Sequence, residues 1–96
     1  MNIYAKNSLV RVSADFTLAT IDTDPSTIKC YYKDPTGTIT TLVYGTDGAL
    51  VKDSAGKYHV DISAATSGNW YYRFEGTGTV TAANENEFIV PLSQIV

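Results

Sequence analysis

From residue 10 to residue 17 the side chains alternate without a break. Val10, Val12, Ala14 and Phe16 fall on one side of the chain, and Arg11, Ser13, Asp15 and Thr17 on the other. A period of two can bury only one face of an extended segment, so it marks a half-buried β-strand. The pattern recurs along the chain in stretches rich in Val, Ile, Thr and Tyr, broken about every 8–12 residues by turn-forming residues. No window carries a sustained helical period with caps.

The next strand sets Ile28, Cys30 and Tyr32 against Lys29, Tyr31 and Lys33, and Asp34-Pro35-Thr36-Gly37 then turns the chain tightly into its partner at residues 39–44. Residues 45–48 end that hairpin, and 50–52 form a short edge segment. In residues 57–62, Tyr58, Val60 and Ile62 point together. After a corner at 63–69, residues 70–75 set Trp70, Tyr72 and Phe74 against Tyr71, Arg73 and Glu75. Residues 80–83 read as one strand, Phe88 with Val90 as the last, and residues 3–5 as a first edge strand. The polar stretch 20–27 reads as a connection. About seven or eight short strands, each apolar on one face, require a second layer about 10 Å away, so the expected fold is an all-β sandwich of two antiparallel sheets. Its core is expected to hold Phe16, Cys30, Tyr58, Trp70, Tyr72, Phe74 and Phe88, with Tyr32 beside them.

Composition narrows the function. The 96 residues are one domain's worth of chain, 1–96, with residues 1–7 as an N-terminal arm or edge strand and 91–96 as an apolar tail. A net charge of −3 supplies no basic field for phosphates, so nucleic acid is not an expected partner. One cysteine cannot form an internal disulfide, and one histidine leaves little for a metal site, so no cofactor or metal is expected. No apolar run approaches the roughly 20 residues of a membrane-crossing helix, and no membrane partner is expected. The first residues lack the basic start and apolar stretch of a secretory signal, which with the free Cys30 fits assembly in a reducing cytoplasm.

The stretch Gly56-Lys57-Tyr58-His59-Val60-Asp61-Ile62, followed by Gly68-Asn69-Trp70-Tyr71-Tyr72-Arg73-Phe74-Glu75-Gly76, resembles the E strand, E–F corner and F strand of immunoglobulin-like domains. Leu9 to Phe16 is similar to their B strand, and Lys33 to Thr41 to their C–C′ hairpin. Within that group the chain is most similar to small immunoglobulin-like virion structural proteins of tailed bacteriophages and prophages. It departs from antibody-type domains: Trp70 stands where a tyrosine corner would sit, Tyr72 where the second disulfide cysteine would be, and Cys30 has no cysteine partner. The resemblance implies a non-enzymatic protein of the virion, expected to decorate the outer head shell and to bind capsid or other virion proteins. Neck, tail or fibre association and self-association remain alternatives. So does a module binding host-surface glycan through Tyr31, Tyr71 or Tyr44.

The expected partner interface is the face opposite Cys30 and Trp70. If those strands are neighbours, it gathers Lys29, Tyr31 and Lys33 beside Tyr71, Arg73 and Glu75, and Tyr and Arg are the residue types that dominate interfaces. The plainer reading of such Tyr pairs is sheet stabilisation of about 0.2–1 kcal/mol each. Ile3 and Tyr4 at one end, with Leu92, Ile95 and Val96 at the other, are terminal arms that either extend the interface or fold back over the core. His59 alternates away from Tyr58 and Val60 and is expected to point outward, with Asp61 as a hydrogen-bonded neighbour and no catalytic partner supplied by the sequence. Asp22, Asp24, Asp47 and Asp53 read as turn residues in connections rather than calcium ligands.

Overall fold

The structure is a computed structural model and describes residues 2–95. Its strands are β1 (Asn2–Ile3), β2 (Ser8–Asp15), β3 (Thr17–Leu18), β4 (Ile21–Asp22), β5 (Thr27–Lys33), β6 (Ile39–Val43), β7 (Leu50–Ser54), β8 (Lys57–Ala64), β9 (Gly68–Thr77) and β10 (Ala82–Val90). A five-stranded sheet in the order β1-β10-β9-β5-β6 faces a three-stranded sheet in the order β2-β8-β7, and β3-β4 form a small ribbon. The pairings are antiparallel except β1 with β10. The fold is therefore the all-β sandwich that the alternation demands, without a disulfide.

The core is built from the inward parity of each strand. Val10, Val12, Ala14 and Phe16 meet Tyr58, Val60 and Ile62 on one layer, and Ile28, Cys30, Trp70, Phe74, Phe88 and Val90 on the other. Cys30 and Phe74 are fully buried, and burial pushes the Cys30 thiol up to about 12, so it stays a neutral core group. Phe88 is the hub of the rings: Trp70 stacks on it at 5.7 Å and 8°, and Tyr4 meets it edge-on at 5.5 Å.

Four expectations need correction. Residues 80–90 are not two strands: β10 runs unbroken from Ala82 to Val90, paired along its length with β9. Its first half lacks large apolar residues because that part overhangs the core, so the sequence there shows no alternation of hydrophobicity. The stretch 20–27 is not wholly a connection, since Ile21–Asp22 pairs back on Thr17–Leu18 around Ala19 and Thr20. Both turn residues have positive φ (52° and 69°), a conformation that normally announces itself with Asn-Gly. Tyr72, with Tyr32, is only half-buried, because three strands cover less than five and a phenol can keep its hydroxyl wet while its ring packs on Phe74 and Phe88. The tail does not fold back over the core. Leu92 and Ile95 are 79% and 91% exposed, since Phe88 and Val90 already close that end and Pro91 cannot extend the ladder. Val96 lies outside the described residues.

One polar bracket ties the β4–β5 connection to the three-stranded sheet. The Asp24 carboxylate accepts from the Gly56 amide (2.8 Å), the Tyr58 hydroxyl (2.7 Å) and Lys52 Nζ (2.7 Å). These donors, the Gly56 amide foremost, hold Asp24 down to about 2, while burial and then the hydrogen bond to Asp24 push the Tyr58 phenol up. A carboxyl depressed in the folded state contributes stability that is complete above its ordinary value and is lost as pH falls toward 2. The urea midpoint of the wild type is therefore expected to fall between about pH 4 and pH 2 more steeply than that of Asp24→Asn, which starts lower at neutral pH. Parallel acid limbs for the two proteins would remove Asp24 from the linkage.

Candidate functional site

Because Ile28 and Cys30 go inward, Lys29, Tyr31 and Lys33 must leave the outer face of β5, and the same parity on β9 sends Tyr71, Arg73 and Glu75 outward. The β5–β9 register sets Lys29 opposite Glu75, Tyr31 opposite Arg73 and Lys33 opposite Tyr71, so the expected residues share one surface. The row continues onto β10, where Glu85 faces Arg73 and Glu87 faces Tyr71, and onto β6, where Ile39 faces Lys33 and Thr41 faces Tyr31.

The surface is internally cross-linked. Arg73 Nε donates to Glu75 Oε2 at 2.7 Å, and its Nη1 lies 3.5 Å from Glu85 Oε1. The Glu75 hydrogen bond raises Arg73, and in return Arg73 holds the Glu75 carboxyl below its usual range. Lys33 Nζ sits 5.2 Å from the centre of the Tyr71 ring, a cation–π contact. Tyr31, Lys33, Ile39, Tyr71, Arg73 and Glu85 line an open groove of about 440 Å³. Three cations (Lys29, Lys33 and Arg73) are matched by three carboxylates (Glu75, Glu85 and Glu87), so the face carries no net charge. Such a surface can offer flat rings and held guanidinium and carboxylate groups to a partner. It gives no long-range pull on a charged one.

The arms converge at one end of the same sheet. Ile3 pairs in register with Ile89, and Ile3, Tyr4, Pro91 and Leu92 line a second groove of about 350 Å³. Ile3 is exposed while Tyr4 leans on Phe88, so the outer face gains an apolar row there.

His59 departs from expectation. It lies on the outer face of the three-stranded sheet, as its parity requires, but it is only 7% exposed. β8 is the central strand, so Ser13 and Val51 flank the ring, and the Asp53 carboxylate covers it with oxygens 2.7 and 2.8 Å from Nδ1. Asp61 lies 4.0 Å from Nε2 and is itself held by Arg11 at 2.9 and 3.1 Å. Asp53 is therefore a strand residue with a partner, not a turn former, and the carboxylate missing from the sequence pattern is supplied by a neighbouring strand. Asp22 likewise sits on a strand, β4. Asp24 and Asp47 remain in connections and spend their oxygens on their own chain, Asp47 accepting from the Val43 amide at 2.8 Å. Among the described residues no three His, Cys, Asp or Glu side chains converge as metal ligands would.

No protein-family model matches this chain, and neither does any curated protein or solved structure. The residues that sequence reasoning missed are Glu85, Glu87 and Ile89. Their common parity with the outer face was the available signal, and it was hidden because residues 84–87 contain no apolar side chain to set the phase.

Proposed function

We propose that this chain is a non-enzymatic structural protein of a tailed-phage virion, an immunoglobulin-like domain that decorates the outer head shell through the outer face of its five-stranded sheet. The observation that carries the contact role is that face: Tyr31, Tyr71, Arg73 and Lys33 side by side on two adjacent strands, backed by a closed core. The strand order supports the immunoglobulin-like reading. β2-β8-β7 opposite β10-β9-β5-β6 is the arrangement of B-E-D opposite G-F-C-C′. The assignment to a virion rests on the resemblance of the segments around Tyr58 and Trp70.

The test is to add labelled protein to particles of the phage that encodes it and to locate the label by electron microscopy. Label over the whole head is the expected result. Label at one vertex or along the tail would move the protein to the neck or fibre, and capture on a glycan array would replace the contact role by sugar binding. With Tyr31→Ala and Tyr71→Ala combined, particle binding is expected to weaken about 10-fold or more, the loss of two aromatic anchors. Because the face is charge-balanced, binding is expected to change by less than about 3-fold between low and physiological salt. A steep loss with salt would place the contact on another surface.

A further inference from the structure

A different part of the molecule favours self-association, independently of any place in a virion. β2 ends the three-stranded sheet, and among the described residues no strand pairs with its outer side. Long bare edges are normally blunted by shortness, bulges or proline. The other edges follow that habit: β1 has two residues, β6 has five, and β7 has a register break between Lys52 and Ser54. β2 has eight residues, no proline and an unshifted register with β8.

The direction of its free backbone groups follows from the ladder. The Phe16 amide, just beyond β2, donates to the Gly56 carbonyl at 2.7 Å, so the even-numbered residues from Val10 to Ala14 bond toward β8 and the groups of Arg11, Ser13 and Asp15 point off the edge. A slot of about 150 Å³, lined by Asn2, Tyr4, Val10, Val12 and Phe88 among others, opens along the same edge between the two sheets.

We infer that β2 pairs with β2 of a second copy of this chain, antiparallel and centred on Ser13, joining two three-stranded sheets into one of six. The charge pattern selects the partner and the register. Centred on Ser13, Arg11 lies opposite Asp15 of the second copy, and Asp15 opposite its Arg11. Within each copy Arg11 is already bridged to Asp61 (2.9 Å) and Asp15 to Lys57 (3.4 Å). Each row across the junction therefore reads Asp61, Arg11, Asp15, Lys57, with signs alternating at every step, an arrangement in which directly opposite charges attract. Moving the centre by one residue sets Arg11 against Ser13 or Thr17 and loses the match. The two-fold relation makes each contact occur twice, as an isologous interface requires.

The experiment is sedimentation equilibrium of the full chain up to about 0.5 mM, a range in which a small interface becomes populated. Wild type is expected to show a reversible monomer–dimer equilibrium. Ser13→Pro removes an edge amide that β8 does not use and is expected to abolish the dimer, with the far-ultraviolet spectrum unchanged. Arg11→Glu and Asp15→Lys, each alone, set like charges across both junction rows and are expected to be monomeric. Mixed one to one, they are expected to form a heterodimer, because the introduced glutamate then meets the introduced lysine and the remaining Asp15 meets the remaining Arg11. A monomeric wild type, a dimer that survives Ser13→Pro, or a mixture that stays monomeric would each overturn the pairing. The charge variants decide the matter even if the proline variant fails to fold.

Discussion

Replacing Trp70 with Ala is expected to destabilise the protein by about 3–5 kcal/mol, a large part of what a small domain has. Three losses coincide at this residue. Its ring is 5% exposed and stacks on Phe88, so truncation leaves a cavity beside the most connected ring of the core. Its Nε1–H donates to the Thr66 carbonyl at 2.9 Å, so the corner between β8 and β9 loses the bond that fixes it to the layer below. Phe88 in turn loses the flat surface that covers one of its faces. Trp70→Phe separates these effects: it keeps most of the stacking and removes the hydrogen bond, and its cost is expected to be only about 1–2 kcal/mol. Urea unfolding followed by circular dichroism measures both. An unchanged midpoint for Trp70→Ala would take Trp70 out of the core.

Much of this arrangement was legible because β-strands write their burial into parity. Val10, Val12, Ala14 and Phe16 declare an inward face in the sequence, and the structure buries all four. The outer face of β5 and β9 follows by subtraction, which is why Lys29, Tyr31, Lys33, Tyr71 and Arg73 could be grouped before any register was known. Parity fails where the chain leaves the core. Residues 82–87 of β10 are mainly polar or small on both faces, so nothing in the sequence shows that Glu85 and Glu87 complete the charged rows beside Arg73 and Tyr71. It also fails for burial that comes from the side. Alternation correctly sends His59 to the outer surface, but the Asp53 carboxylate that covers it comes from an adjacent strand and is invisible to a one-dimensional reading. The place of the tail, which the sequence leaves open, turns on a related point. Leu92 and Ile95 are apolar enough to seek a core, yet whether a seat is free depends on Phe88 and Val90 having filled it first.

The turn between β7 and β8 makes the second large prediction, Gly56→Ala. Gly56 has φ of +73°, a left-handed conformation that costs an L-residue about 1–2 kcal/mol by itself. Space makes the site worse, because a Cβ there would overlap the Phe16 carbonyl oxygen and come within 2.9 Å of the Thr23 amide nitrogen. Both are backbone atoms, held by the 3.0 Å bond from Thr23 N to Phe16 O and by the 2.7 Å bond from Phe16 N to Gly56 O, so neither can swing aside as a side chain could. Relief requires the turn to move, and moving it pulls the Gly56 amide from Asp24 and loosens the bracket on Tyr58. The expected cost is about 3–4 kcal/mol, in the range that only a strained or clashing backbone site reaches. Gly37 and Gly45 provide the comparison: their φ values are also positive, +96° and +91°, but nothing lies within 4 Å of an added Cβ. Ala at either position is therefore expected to cost only the conformational part, about 1–2 kcal/mol. If urea midpoints for Gly56→Ala and Gly37→Ala fell by the same amount, the close approach of the Phe16–Thr23 backbone to this turn would be refuted, because strain in φ alone would then account for both.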